Sequence, residues 1–126
     1  MISRLLVVVV AVGLLVEAVP SAAHHSGSLY DRDHPITLTG TVTGWEMVMP
    51  HARVLFDVKE ADGSVSKWMA GSAPPQKLYR AGWNRTSLKP GDIITVTGYP
   101  LKNGKKIMSI VKLVAPSGKL LTSGAE

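Results

Sequence analysis

The stretch ITLTGTVT (residues 36–43) decides the fold, because apolar residues or glycine alternate with threonine over its whole length. This alternation places the apolar side chains on one face of an extended chain and the threonines on the other. It is the pattern of a half-buried β-strand. Gly40 lies in the middle and predicts a bulge or a sharp bend, which a small barrel needs. We therefore expect a mainly β chain.

Four more short strands follow the first, each bounded by a turn or a proline. They cover residues 53–59, 65–70, 93–99 and 106–114. Asp-Gly at 62–63 and Asn-Gly at 103–104 are typical hairpin turns, and the prolines at 74–75 open a short helix that stops at Gly82. Three strands, a short helix and two strands is the order of a five-stranded OB-like barrel. A small open β-sandwich is the alternative.

The first 23 residues, Met1 to Ala23, have the pattern of an export signal. Arg4 supplies a positive charge, and Leu5 to Val16 is an apolar run of 12 residues. Such a run is too short to span a bilayer but suits the centre of a signal peptide. We expect cleavage near Ala23, a periplasmic or secreted bacterial protein, and no membrane span after cleavage.

These signals divide the chain into four parts. Residues 1–23 form a signal peptide, 24–35 an extended N-terminal segment, 36–116 the OB-like barrel and 117–126 a small polar tail. Removing 23 of the 126 residues leaves 103, enough for one small domain and not two. The chain has no cysteine, which excludes disulfides, thiolate metal sites and a cysteine nucleophile.

The balance of charge indicates which partners to expect. The formal net charge is +5, but the basic residues are scattered except for Lys102, Lys105 and Lys106 near one predicted hairpin turn. Lysines at such a turn are more typical of a solvated edge than of a docking patch, and export removes most nucleic acid from reach. The sequence therefore predicts a metal ion, a small ligand or an envelope protein as partner, and no nucleic acid.

Several motifs resemble a family of small exported bacterial proteins of unknown function. They are His24-His25-Ser26, Leu38 to Val42, Glu46, Pro50-His51-Ala52, Gly82-Trp83 with Arg85, Ser87 to Asp92 and Val96 to Tyr99. The resemblance runs over nearly the whole mature chain and implies an OB-like fold outside the cytoplasm, with no established activity. The family tends to have Asn-Pro-His where this chain has Met49-Pro50-His51, and an aromatic residue in place of Met47.

The histidines near the expected N-terminus suggest copper binding. Cleavage after Ala23 gives His24 both a free amine and an imidazole, and a further imidazole such as His51 completes three nitrogens that suit Cu(II). Cleavage after Ala22 instead places His25 third in the chain, where its imidazole chelates Cu(II) or Ni(II) together with the amine and backbone nitrogens. Either register predicts a copper-binding end.

A second candidate constellation comprises Trp45, Met47, Met49 and His51. Residues two apart on a strand face the same way, and thioethers with imidazole favour Cu(I). The arrangement is similar to periplasmic copper chaperones, five-stranded barrels that hold Cu(I) with two methionines and a histidine beneath a tryptophan. The competing interpretation is that Met47 and Met49 fill the core, as methionines on an apolar strand face usually do.

An enzymatic function is not expected, because no nucleophile has a recognisable setting and no catalytic residue can be assigned. The sequence predicts a copper-binding protein with copper as the cofactor. Its candidate metal ligands are His24, His25, His51, Met47 and Met49. The alternative is a non-metal ligand-binding or protein-interaction module of the bacterial envelope, whose affinity depends on Trp83 or Tyr99. The rings of Trp68, Tyr79, Trp83 and Tyr99 are expected mainly to build the core, with Trp83 partly exposed.

Overall fold

The computed structural model describes residues 29–122. Its elements are β1 (Ile36–Glu46), β2 (Arg53–Lys59), β3 (Val65–Gly71), α1 (Pro75–Arg80), β4 (Ile93–Pro100), β5 (Ile107–Val114) and β6 (Leu120–Thr122). The predicted order of three strands, a short helix and two strands is confirmed. The additional strand, β6, follows the predicted set.

The strands form one closed barrel. They are hydrogen-bonded in the order β3-β2-β1-β4-β5-β6, and a further pairing of β3 with β5 closes β1 to β5 on themselves. β1 pairs with two neighbouring strands: residues 36–41 pair with β4, and residues 41–46 pair with β2. The closing contact is parallel and short, joining residues 69–71 to residues 107–109. This is the predicted OB-like barrel and not an open sandwich.

Gly40 is required for a different reason from the predicted one. The register of β1 against β2 shifts between Val42 and Gly44, so the bulge lies after Gly40. At Gly40 itself, an added Cβ would lie 2.6 Å from the Asp57 carbonyl oxygen and 2.7 Å from Phe56 Cδ2. Both distances are shorter than van der Waals contact. Only glycine allows these backbones to approach so closely.

The core fills the barrel and reaches under α1. Its largest fully buried side chains are Trp83, Phe56, Leu78, Ile94, Met108, Ile110, Leu113 and Leu121. The expectation of an exposed Trp83 is wrong: its side chain is 1% exposed, whereas Tyr79 is 47% exposed. The chain turns back after α1, where the Trp83 N–H donates to the Leu78 carbonyl oxygen at 2.9 Å. The ring is thereby brought against Trp45, at a centroid distance of 6.1 Å.

The segment predicted as a polar tail contributes to the barrel. Residues 120–122 pair with residues 112–114 of β5 as β6, and Leu121 is buried in the core. The Ala115 N–H donates to the Lys119 carbonyl oxygen at 2.9 Å, which closes the turn between the two strands. Burial of the Leu121 side chain stabilises the pairing of this otherwise polar segment with β5.

Candidate functional site

Residues 47–52 form a loop between β1 and β2 that is anchored at both ends. Met47 is 7% exposed and belongs to the core. Ala52 is fully buried; its N–H donates to the Ala73 carbonyl oxygen at 3.0 Å, and its carbonyl accepts from the Ser72 N–H at 2.8 Å. Between these anchors Met49 is 71% exposed, and His51 is also exposed. The loop therefore presents side chains outward from a fixed base.

A surface groove of about 480 Å³, here called the His51 groove, lies beside this loop. Met49 and His51 line it from the loop, and Met69 and Gly71 line it from β3. The register of β2 against β3, with Arg53 opposite Gly71, brings these two segments together. Two thioethers and one imidazole therefore border the same groove. Met69 was not among the predicted site residues.

A smaller pocket of about 220 Å³ lies beside the same histidine. Tyr30, His51, Ser72 and Ser109 line it, and the Ser72 hydroxyl oxygen is buried without a hydrogen-bond partner among the described residues. The His51 side chain makes no hydrogen bond or ion pair with any residue from 29 to 122. Its imidazole is therefore free, within this part of the chain, to meet a ligand.

The N-terminal segment enters the described structure next to that pocket. Tyr30 forms a β-bridge with Leu101, and the Asp31 N–H donates to the Pro100 carbonyl oxygen at 2.8 Å. The predicted ligands His24 and His25 lie outside the described residues. His24 precedes Tyr30 by six positions, a separation that an extended chain spans in roughly 20 Å.

Met47 and Trp45 do not share a groove with His51. The prediction that alternate residues from 45 to 51 lie on one strand face is wrong, because β1 ends at Glu46 and the alternation ends with it. Met47 is held in the core, as the competing interpretation expected, whereas Met49, which it also placed in the core, is exposed. The Trp45 indole N–H donates to the Asn84 carbonyl oxygen at 2.8 Å. The structure brings together Met49 and His51 alone from the predicted constellation.

Some charged side chains of the described region form ion pairs, and the acidic ones do not gather with histidines into a hard-metal site. Glu46 and Arg53 form an ion pair beside the loop. The Nδ1 atom of His34 lies 3.0 Å from a carboxylate oxygen of Asp31, and this hydrogen bond lowers the pKa of Asp31. No cluster of three or more His, Asp and Glu side chains occurs in residues 29–122. The donors that do meet are soft thioethers with one imidazole.

The chain is a small OB-like barrel with a groove at its β1–β2 loop that two methionines and a histidine border. The chain belongs to a family of unknown function (DUF6152), whose pattern matches residues 11–109. This agrees with the family resemblance seen in the sequence. Comparison with curated proteins found no match. Between residues 29 and 122, no helix has the length and apolar character needed to cross a membrane.

Several solved structures are similar to this fold at low identity. Rim1, a mitochondrial single-stranded DNA binding protein from S. cerevisiae, is 9% identical with a TM-score of 0.48, and the match covers 72% of this chain and 96% of that one. TiaS in a complex with tRNA(Ile2) and ATP is 20% identical with a TM-score of 0.45, over 68% of this chain. The chain spans only 18% of the TiaS chain.

These similar structures correct one prediction. The predicted partners excluded nucleic acid, yet Rim1 is a single-stranded DNA binding protein and TiaS was solved with a tRNA. The exclusion is therefore contradicted and does not follow from this fold. The ligand of this chain is argued below from its own residues.

Proposed function

We propose that the protein is exported and holds a copper ion in the His51 groove, with Met49, His51 and Met69 as ligands. The observation that carries this proposal is that two thioethers and an imidazole, from the β1–β2 loop and from β3, border one solvent-accessible groove. Met69 takes the role that was predicted for Met47. The groove is open to solvent, so the ion can enter and leave.

The donor set favours the reduced form of copper. Thioethers are soft ligands that select Cu(I), and imidazole binds copper in either oxidation state. The His51 ring has no partner among residues 29–122 that must be displaced before a metal binds. A carrier or buffer of Cu(I) fits this arrangement, because the described residues that border the groove supply soft ligands and an opening to solvent.

The predicted N-terminus supplies a further ligand in this proposal. Cleavage after Ala23 would leave His24 with an amine and an imidazole, and Tyr30 lines the pocket next to His51. The six positions between them allow His24 to reach this pocket. An added nitrogen pair would let the same site also hold Cu(II), which prefers nitrogen donors in a plane.

The direct test is a competition titration of Cu(I) against a coloured chelator, using the natively processed protein. His51→Ala is expected to lower the affinity at least about tenfold, because it removes one of three protein ligands. His34→Ala is the matched control: it also removes an exposed histidine, but one bonded to Asp31, and it should change the affinity less than twofold. Equal losses in the two variants would reject the site.

Export and the N-terminal ligand are tested separately by mass spectrometry of the protein recovered from the periplasm. The expected mass is that of a chain beginning at His24. A second titration then compares this chain with the same chain acetylated at its amino terminus. Because acetylation removes the amine nitrogen from the ligand set, the Cu(II) affinity should fall while the Cu(I) affinity is retained. A cytoplasmic full-length chain would contradict export without bearing on the Met49–His51–Met69 site.

A further inference from the structure

A second groove, here called the Lys106 groove, lies towards the other end of β3. It has a volume of about 430 Å³ and is bordered by Leu55, Lys67, Trp68, Lys105 and Lys106. Its origin is topological: β3 begins at Val65, but it pairs with β5 only from Met69 onward. The first half of β3 and the end of the β4–β5 turn therefore separate, which leaves an opening between them.

Backbone bonds fix the two lysines that close this groove. The Lys106 carbonyl oxygen accepts from the Met69 N–H at 3.0 Å, and the Lys105 N–H donates to the Asn103 side-chain oxygen at 3.0 Å. The Lys106 ammonium lies 5.2 Å from the centroid of the Trp68 ring, within the range of a cation–π contact. The backbone of both lysines is thus held at one end of the groove, and the Lys106 ammonium lies over the Trp68 ring.

Among residues 29–122, no acidic side chain neutralises Lys105 and Lys106 at this end of the groove. Lys67, on the opposite side, lies 3.7 Å from an Asp57 carboxylate oxygen. Lys105 and Lys106 form no ion pair with any residue from 29 to 122. Two lysines without an ion-pair partner therefore border one end of the groove, which suits a single anionic group better than a long polyanion.

The lining beneath the lysines is mostly apolar. Leu55, Met69 and Ile107 border the groove, and each is partly exposed. Trp68 is 8% exposed, and its indole N–H is buried without an acceptor among the described residues. An unpaired buried donor is costly and uncommon in native proteins. The lining therefore offers aliphatic contact area and one donor without a partner.

We propose that the Lys106 groove binds a single-chain anionic amphiphile, with its carboxylate on Lys105 and Lys106 and its aliphatic chain along Leu55, Met69 and Ile107. Single-stranded nucleic acid fits less well, because binding by base stacking needs exposed rings. Here the Trp68 ring is almost fully buried and Phe56 is completely buried. Met69 borders both grooves, so the two binding activities are distinguished by working with the copper-free protein.

The test is calorimetric titration of the copper-free protein with octanoate, decanoate and dodecanoate below their micelle concentrations. The affinity should rise with chain length, up to roughly tenfold for two added methylene groups. The double variant Lys105→Gln, Lys106→Gln should bind dodecanoate at least about tenfold more weakly. Quenching or enhancement of tryptophan fluorescence on binding should disappear in Trp68→Phe, because Trp45 and Trp83 do not line this groove.

Lys112→Gln is the matched control, since it removes one positive charge from an exposed position on β5 that does not border the groove. Its affinity for dodecanoate should stay within about twofold of the wild-type value. Equal affinity for acetate and dodecanoate would overturn the proposal. It would also be overturned if the double variant bound as tightly as the wild type, or if a short deoxythymidine oligonucleotide displaced dodecanoate.

Discussion

The turn at residues 88–92 and the loop at residues 47–52 are both prominent in the sequence, yet the structure uses them in opposite ways. In the turn, the Lys89 N–H and ammonium both bond the Asp92 carboxylate, at 3.0 Å and 2.7 Å. The Asp92 carbonyl oxygen in turn accepts from the Val42 N–H at 2.8 Å. The polar groups of this turn therefore form hydrogen bonds within the turn and to β1.

In the loop, the anchors are backbone bonds at Ala52, and the side chains between the anchors are left without partners. His51 has none within residues 29–122, and Met49 is mostly exposed. A motif whose side chains bond one another contributes to stability, whereas one that is anchored but unsatisfied is available for a ligand. This difference distinguishes the turn, which stabilises the fold, from the loop, which is the candidate site. Four substitutions test it, two of them together with a control substitution.

The largest effect is expected at Leu88, whose buried side chain supports the turn. Leu88→Ala should lower the free energy of unfolding by about 2–5 kcal/mol, through lost burial and a remaining cavity. Val48→Ala in the exposed part of the loop should change it by less than about 0.5 kcal/mol. Urea denaturation measures both. Similar decreases in the free energy of unfolding for both variants would contradict the difference between the turn and the loop.

A smaller effect is expected at Gly40, two residues before the Val42 that the turn holds. Gly40→Ala would place a methyl group against the Asp57 carbonyl and should cost about 1–3 kcal/mol. Gly71→Ala, which borders the His51 groove, is the control, because its nearest atom would lie 4.0 Å away. Thermal denaturation should show a clear decrease in Tm for the first variant alone; equal decreases would contradict the account.

The pH dependence of the turn comes next. The hydrogen bonds from the Lys89 side chain and backbone hold the pKa of Asp92 below its ordinary value of 3.8. Because the folded-state pKa is the lower one, this stabilisation is present above pH 3.8 and is lost as the pH falls through the folded-state pKa. Urea titrations across this range should show a smaller acid-induced decrease in stability for Asp92→Asn. An identical pH profile for both proteins would show that the turn does not depend on this carboxylate.

The smallest effect on folding is expected at the candidate ligand. His51→Ala should leave the free energy of unfolding of the copper-free protein within about 0.5 kcal/mol of the wild type, since the imidazole makes no bond with the described residues. Added Cu(I) should raise the Tm of the wild type, because a ligand that binds only the folded state stabilises it. The Tm of the variant should rise much less. A strongly destabilised copper-free variant would place His51 with the structural residues.

The local features of this fold were predictable from sequence, and the pairings between distant segments were not. Alternation in residues 36–43 and the Asp-Gly turn at 62–63 act over a few neighbours, so they predict strands and a hairpin directly. β1 ends at Glu46, before Met47. The position of this end depends on the path that the chain takes out of the barrel. The meeting of Met69 with His51 depends on the register of β2 against β3. No local pattern reports that register, so the sequence pointed to Met47 as a candidate ligand and not to Met69, which borders the groove with His51.

The most direct test of the central claim is X-ray absorption spectroscopy of the Cu(I)-loaded protein, which counts sulfur and nitrogen ligands around the metal. We expect two sulfur ligands in the wild type, one in Met69→Leu, and two in Met47→Leu, with nitrogen ligands in all three. A spectrum without sulfur ligands, or one in which Met47→Leu loses a sulfur and Met69→Leu does not, would contradict the assignment of the site to the His51 groove.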